Sequence, residues 1–232
     1  ELELNMKMHK AITIIQFKLE GQLILRRPDF KMNDRLLLDK INYENGTIEI
    51  QGKTYELLDK NFPTIDPKDP YKLTEQEAQL MERLEYSFRN CDKLQKHIRF
   101  LLSKGGLYLT YNNNLLFHGC VPLNEDGTLR EVELNGIKYS GRNLYDVLEY
   151  YARKGFYRQK EDTDYTYGRD ILWYIWSNEN SPVYGKEKMA TFERYFLSDH
   201  ALHEEKKDYY YKLIEEDEVV TRILNDFGLH SP

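Results

Sequence analysis

A single histidine, His118, follows the apolar run Leu115-Leu116-Phe117 and precedes Gly119-Cys120. A strand that ends in a histidine and a glycine turn can deliver one imidazole to a metal at a sheet end, since neutral imidazole is the commonest protein metal ligand. One ligand does not make a metal centre, and a histidine satisfied in the core is the alternative reading. Asp199, His200, His203 and Glu204 also combine ligand types, with His200 and His203 sharing a helix face. They repeat no known ligand spacing, and a solvated polar face accounts for them better. Trp173, Tyr174 and Trp176 have the chemistry to stack on a sugar, but rings this crowded are expected mostly in a helix core. Lys186, Lys188, Arg194, Lys206 and Lys207 could receive phosphate through charge-assisted bonds, yet Glu187, Glu193, Asp199, Glu204 and Glu205 neutralise the same interval. The chain has no glycine-rich phosphate loop and no nucleophile elbow.

Composition narrows the classes. The chain has 232 residues, 41% of them apolar and 13% aromatic, which is ample for a globular core. Its 33 basic and 39 acidic residues form no long single-sign block, so no broad basic face and no nucleic-acid partner are expected. Cys91 and Cys120 stand at no metal or redox spacing and fit a reducing compartment. The apolar stretches are too short for a membrane span, so a soluble cytoplasmic protein without a membrane partner is expected. The chain opens at Glu1 without a methionine and already at helical spacing, with Met8, Ile12, Ile15 and Leu19. It reads as a segment of a longer protein.

The elements that must position these residues are legible in order. After the first helix, Ile41, Tyr43, Ile48, Ile50 and Tyr55 alternate around Asn45-Gly46 and Gln51-Gly52 as hairpin structure. Pro63, Pro67 and Pro70 mark a linker. Thr74 and Glu77 form a capping box that opens a helix with Leu80, Met81, Leu84 and Phe88 on one face. The stripe resumes at Leu94, Ile98, Leu101 and Leu102 until Gly105-Gly106, which predicts a helical core there. Leu107 to Tyr111 and Leu115 to Phe117 read as two strands joined at Asn112-Asn113-Asn114, and a further hairpin surrounds Asn135-Gly136. Leu144, Val147, Leu148 and Tyr151 lie on a helix expected to end at Lys154-Gly155, and a polar loop covers Glu161 to Asp164. Apolar Ile171 to Trp176, a helix over Thr191 to Phe196, and a last helix with Val219, Val220, Ile223, Leu224 and Phe227 complete an α+β protein.

The order of these pieces adds a resemblance. Gly106 to Leu123, GLYLTYNNNLLFHGCVPL, resembles the strand and loop of calcineurin-like metallophosphatases, and Asp170 to Asn178, DILWYIWSN, resembles the apolar helix that follows. The segments HKAITIIQFKLE, RRPDF, NDRLLLDKI, LYLTYNNNLLFHGCVP, GKEKMATFERYF and EEKKDYYY, in that order, are similar to the bacterial class III fructose-1,6-bisphosphatases. The resemblance covers nearly the whole chain. It implies a hydrolase removing the 1-phosphate of fructose 1,6-bisphosphate in gluconeogenesis, with manganese as the metal and His118 as one ligand of a two-metal site. It makes Lys186 and Arg194 candidates for anion contact, and Lys206, Lys207 and Tyr210 further ones. The implied fold is part of a metallophosphatase β-sandwich with helices, residues 105–232, preceded by a helical and hairpin insertion or cap, residues 1–104.

The sequence departs from the complete family. It contains no Gly-Asp, hence no GDxxDR segment, no GNHD segment and no GHTP segment. A two-metal centre cannot assemble from these residues alone, so the segment by itself is expected to be inactive. Its partners are then the missing parts of its own catalytic domain, and strands with exposed edges predict a homo-oligomer or another partner. A metallophosphatase for another phosphorylated substrate, or a noncatalytic helical binding module, are the alternatives.

Overall fold

The computed structural model describes residues 1–157 and 163–230. The chain divides into two compact units, Glu1–His97 with Thr191–His203, and Ile98–Ala190 with Glu204–Pro232.

The first unit is built on helix α1, Leu2–Arg26. Its buried face carries Ile14, Phe17, Lys18, Gly21 and Ile24, at the spacing that brings successive turns onto one side. The expected stripe is therefore rotated: Ile15 is buried, but Met8 and Ile12 remain exposed. Gly21 is required because a Cβ there would lie 2.0 Å from the Tyr71 ring. Strands β1, Ile41–Asn42, β2, Thr47–Ile50, and β3, Lys53–Glu56, form an antiparallel sheet in which Ile48 faces both Ile41 and Tyr55. Gln51 and Gly52 both adopt positive φ, 52° and 74°, as a two-residue turn matching the twist of β2 and β3 requires. The proline-rich stretch is fastened rather than loose, since Ile65 and Tyr71 are buried.

The capping box forms as read. Thr74 Oγ1 accepts from Glu77 N–H and Glu77 Oε2 accepts from Thr74 N–H at 2.8 Å, opening α2, Glu75–Arg89. The core predicted on α2 does not. Leu80 and Phe88 are exposed, and Glu77 is the buried residue of the helix. Helix α3, Asp92–Lys104, buries no residue, so the stripe from Leu94 to Leu102 has the pattern of a core face without a surface to meet.

The second unit takes in the end of α3 from Ile98 and then the hairpin of β4, Tyr108–Tyr111, and β5, Asn114–Phe117. Asn112 and Asn113 turn it with positive φ of 48° and 58°, a conformation asparagine tolerates better than most residues. Strands β6, Val132–Leu134, and β7, Ile137–Tyr139, make the second hairpin. Helices α4, Gly141–Tyr157, and α5, Thr163–Ser177, pack together, while α6, Thr191–Phe196, belongs to the first unit. A short α7, Tyr210–Leu213, leads to α8, Asp217–Asp226. The core gathers Val121, Leu123, Tyr145, Val219, Ile223 and Phe227.

Three expectations change here. Helix α4 continues through Gly155, because that glycine is a contact and not a stop: a Cβ on it would lie 2.4 Å from the Gly168 carbonyl carbon. Glu161 and Asp162 of the expected polar loop lie outside the described residues, whereas residues 163 and 164 already belong to α5. Of the crowded rings, Tyr174 is buried but Trp176 is exposed, because only one side of α5 faces the core. The described strands form three separate antiparallel sheets, one of three strands and two of two strands, so the class is α+β.

Candidate functional site

The hairpin decides what His118 can do. Alternation turns Tyr108, Leu115 and Phe117 towards the core, while Leu109, Tyr111 and Leu116 stay on the outer face, 56%, 72% and 53% exposed. His118, two residues beyond Leu116, is exposed. The strand that delivers it is thus half-buried, not a buried central strand. His118, Leu109, Leu116 and Tyr150 line a cleft of about 1020 Å³.

Immediately after the histidine the chain is pinned. Gly119 has φ +90°, and a Cβ there would lie 2.2 Å from the Pro182 carbonyl oxygen, so no other residue fits the turn. Cys120 N–H donates to that same carbonyl at 2.7 Å, and the buried Tyr145 hydroxyl donates to the Cys120 carbonyl at 2.8 Å. Burial, with the Asp208 charge adding to it, pushes the Cys120 thiol up to about 12, beyond the opposing effect of Arg130. The buried thiol is shielded from reagents. The cleft's other wall is fixed by Glu149, whose Oε2 accepts from Leu107 N–H at 2.9 Å and whose Oε1 accepts from Arg153 Nε at 2.9 Å.

A second cleft, of about 850 Å³, brings Arg130, Lys186, Lys206, Lys207 and Lys212 together with Glu179, Glu187, Glu204 and Asp208 from distant parts of the chain. Lys186 and Lys207 sit opposite each other in an isolated antiparallel bridge, and Glu187 N–H donates to the Lys206 carbonyl at 2.9 Å. Arg130 and Lys212 line the same cleft. The buried carboxylate of Asp208 holds the frame. Its Oδ1 accepts from the backbone N–H of Leu123 at 3.1 Å and of Tyr210 at 2.9 Å, and Arg130 Nη2 lies 2.9 Å from its Oδ2 as an ion pair. Lys186 Nζ donates to Glu205 Oε2 at 2.8 Å, and Lys206 is 3.9 Å from Glu187. Among the described residues Lys207 and Lys212 pair with no carboxylate and lean instead on the rings of Tyr211 and Tyr209, at 5.3 and 5.6 Å. The near-neutral charge count in the sequence thus conceals two lysines without acidic partners.

The remaining candidates divide. Tyr210 stacks edge-on to Phe117, ring centroids 6.0 Å apart, and packs on the core. Burial raises its hydroxyl above the ordinary value, with Cys120 and Tyr211 acting in the same direction. Arg194 belongs to the first unit, where Nη2 donates to the His203 carbonyl at 3.1 Å. His200 and His203 stack edge-on at 5.0 Å, and His203 Nε2 is 2.9 Å from the Leu197 carbonyl oxygen. Among the described residues no group of three or more His, Cys, Asp or Glu side chains is placed to hold a metal ion. His118 alone does not fit a complete metal centre.

Sequence reasoning missed Asp208, Arg130 and Lys212. Asp208 stands in the quoted EEKKDYYY segment, where one acid amid lysines and tyrosines was the available signal.

Lys207 and Lys212, without carboxylate partners among the described residues, have the charge to meet an anion in this cleft. The chain matches the Firmicute fructose-1,6-bisphosphatase family over residues 1–232, and it belongs to that family. It is 55% identical over 229 residues to the fructose-1,6-bisphosphatase class 3 of Clostridium botulinum strain Alaska E43, covering 99% of this chain and 35% of that protein. The class 3 enzyme of Clostridium novyi strain NT is also 55% identical, with 99% and 34% covered. That of Alkaliphilus metalliredigens strain QYMF is 53% identical over 232 residues, with 99% and 35% covered. The chain therefore spans about a third of the length of the relatives it matches. No solved structure matches it.

Proposed function

We propose that this chain is part of a longer fructose-1,6-bisphosphatase that hydrolyses the 1-phosphate of fructose 1,6-bisphosphate, and that it supplies anion-binding groups and one metal ligand. The observation that carries the reading is the second cleft, whose lysines belong to segments of a bisphosphatase family. Lys207 and Lys212 contact an incoming phosphate directly, because neither must first leave a carboxylate. Lys186 and Lys206 add to the local potential while tied to Glu205 and Glu187. Asp208 fixes the backbone that carries Lys207 and Tyr210, and Tyr210 is a positioning residue. Arg194 is a further anion contact on the grounds of family resemblance alone.

The metal belongs to the whole polypeptide. Manganese fits the family resemblance and would supply charge neutralisation and an activated water. In this reading His118 contributes one imidazole, and the other ligands come from the rest of the polypeptide, which adopts a calcineurin-like sandwich. Residues 1–104 form the cap or insertion and residues 105–232 part of the catalytic core, in a cytoplasmic homo-oligomer.

The test uses the full-length polypeptide with manganese and fructose 1,6-bisphosphate. Phosphate release is expected, with Lys207→Ala raising KM roughly tenfold, as expected when a charge-assisted contact is lost. The isolated 232-residue chain is expected to release none. A full-length protein inert towards this substrate but active on another phosphorylated sugar refutes the substrate assignment.

A further inference from the structure

We propose that α2 and α3 are the contact surface between two copies of this chain, each α2 lying antiparallel on the α3 of the other copy. Both helices carry an apolar stripe with too little to cover it. Leu80 and Phe88 of α2 are 41% and 62% exposed, and Leu101 of α3 is 66% exposed. The stripe on α2 starts under cover, at the buried Glu77, and ends in the open at Phe88. Single apolar residues on a surface are ordinary, but two helical stripes in succession mark a docking face. The pairing stands apart from the bisphosphatase reading, since no residue of either cleft's lysine set takes part.

Charge selects the occupant. On α3, Lys93, Lys96, Arg99 and Lys104 stand against Asp92 alone, and among the described residues none of the four pairs with a carboxylate. A cationic amphipathic helix is complemented by an acidic one. Helix α2 has that character: besides Glu77, which Lys18 holds, it exposes Glu75, Glu82 and Glu85 against Arg83 and Arg89. The order of the charges sets the direction. Laid antiparallel, Glu75 meets Lys104, Glu82 meets Arg99 and Arg89 meets Asp92, whereas a parallel pairing sets Glu75 against Asp92 and Arg89 against Lys104, which repel.

One chain does not satisfy this complementarity by itself. Its α2 and α3 are joined by Asn90 and Cys91 alone, and α3 buries no residue, so they are not closed on one another. A second copy brings the same two helices, and under a two-fold axis each contact is made twice, as in an exchanged element. Size agrees. Helices of 15 and 13 residues offer about 42 Å of length, and half the girth of a cylinder about 10 Å across gives on the order of 650 Å² per copy. Specific dimers begin at about 600 Å² per partner.

The experiment is a crosslink. Antiparallel exchange brings the two connections together, so the exposed Cys91 of one copy lies beside Cys91 of the other. Oxidation with copper phenanthroline, applied to the full-length polypeptide and to the 232-residue chain, is expected to give in both a covalent dimer that Cys91→Ser abolishes. Glu75→Lys with Glu82→Lys, or Arg99→Glu with Lys104→Glu, should each cut that dimer at least tenfold, and mixing the two variants should restore it, which also shows that both are folded. A Cys91-dependent dimer indifferent to both charge reversals overturns the proposal, and so does a loss that mixing does not repair. A dimer formed by the short chain but missing from the full-length polypeptide overturns it too, because the rest of the polypeptide then holds the face.

Discussion

Lys18 Nζ lies 2.7 Å from Glu77 Oε2, and neither side chain exposes more than 9% of its surface. The pair ties α1 to the capping box of α2, because the same carboxylate oxygen accepts the Thr74 N–H, and Lys18 also donates to the Thr64 carbonyl. Removing one member strands the other. Lys18→Met is expected to cost about 3–5 kcal/mol in urea denaturation, and Lys18→Met with Glu77→Leu to recover most of it, since replacing both members of a buried pair is far cheaper than breaking it. Equal losses in the single and double variants would contradict this.

The same pair sets an acid limit. Burial alone would raise Glu77, but the hydrogen bond from Lys18, those from Thr74 and Thr64, and the Lys18 charge hold it below its ordinary value of 4.5. In the unfolded chain the group takes up its proton near 4.5, before the folded form does. The stability it contributes is thus complete above that pH and is lost as pH falls through the lower folded value. Denaturation midpoints followed downward from pH 6 should fall less steeply in Glu77→Gln than in the unaltered chain.

The two cysteines should behave oppositely. Cys91 is exposed, and Cys120 is buried with its thiol raised from 9.0 to about 12. A disulfide reagent at pH 8 is expected to modify one thiol in the native chain and two in denaturant. Because the unfolded thiol ionises first, the Cys120 contribution to stability is full below pH 9.0 and declines as pH rises towards 12.

Gly155 and Gly168 make a close crossing of α4 and α5. Alanine inside a helix ordinarily gains up to about 1 kcal/mol over glycine. Here Gly155→Ala should instead lose about 1–3 kcal/mol through overpacking, because the new methyl meets backbone that cannot step aside. Thermal melts of Gly155→Ala and Gly168→Ala that rise rather than fall would show that the helices separate freely.

Asp208→Asn probes the frame beneath the lysines. It removes the carboxylate charge beside Arg130, which keeps its hydrogen bonds to the Leu123 carbonyl and to Asn180 Oδ1. It should also lower the Cys120 thiol, since the Asp208 charge helps to raise it. A thiol titration moving downward, together with weaker protection of Leu123 and Tyr210 amides in hydrogen exchange, is the expected signature.

The sequence disclosed elements more readily than environments. The Thr74–Glu77 box, the Asn112-Asn113 turn and the α8 stripe are local codes, written within a few residues, and all three form. The stripes on α2 and α3 follow the same code yet meet no core, because amphipathicity records that a face wants covering and not what covers it. Gly155 misled for a related reason: a glycine late in a helix reads as a stop unless its neighbour across the crossing is known. The pairing of Lys186 with Lys207 and the role of Asp208 depend on contacts between residues far apart in the chain, which spacing does not record. Lys186, Lys206 and Lys207 lie in the segments that resemble the family and line one cleft.

The hairpin turn carries a consequence of its own. Strand residues have a period of two, so sliding β5 past β4 by one position would exchange everything that faces outward for everything that faces inward. Phe117 would emerge and the residues leading to His118 would turn under. Asn112 and Asn113, which touch neither cleft, therefore set the phase of the strand and with it the side on which the imidazole arrives.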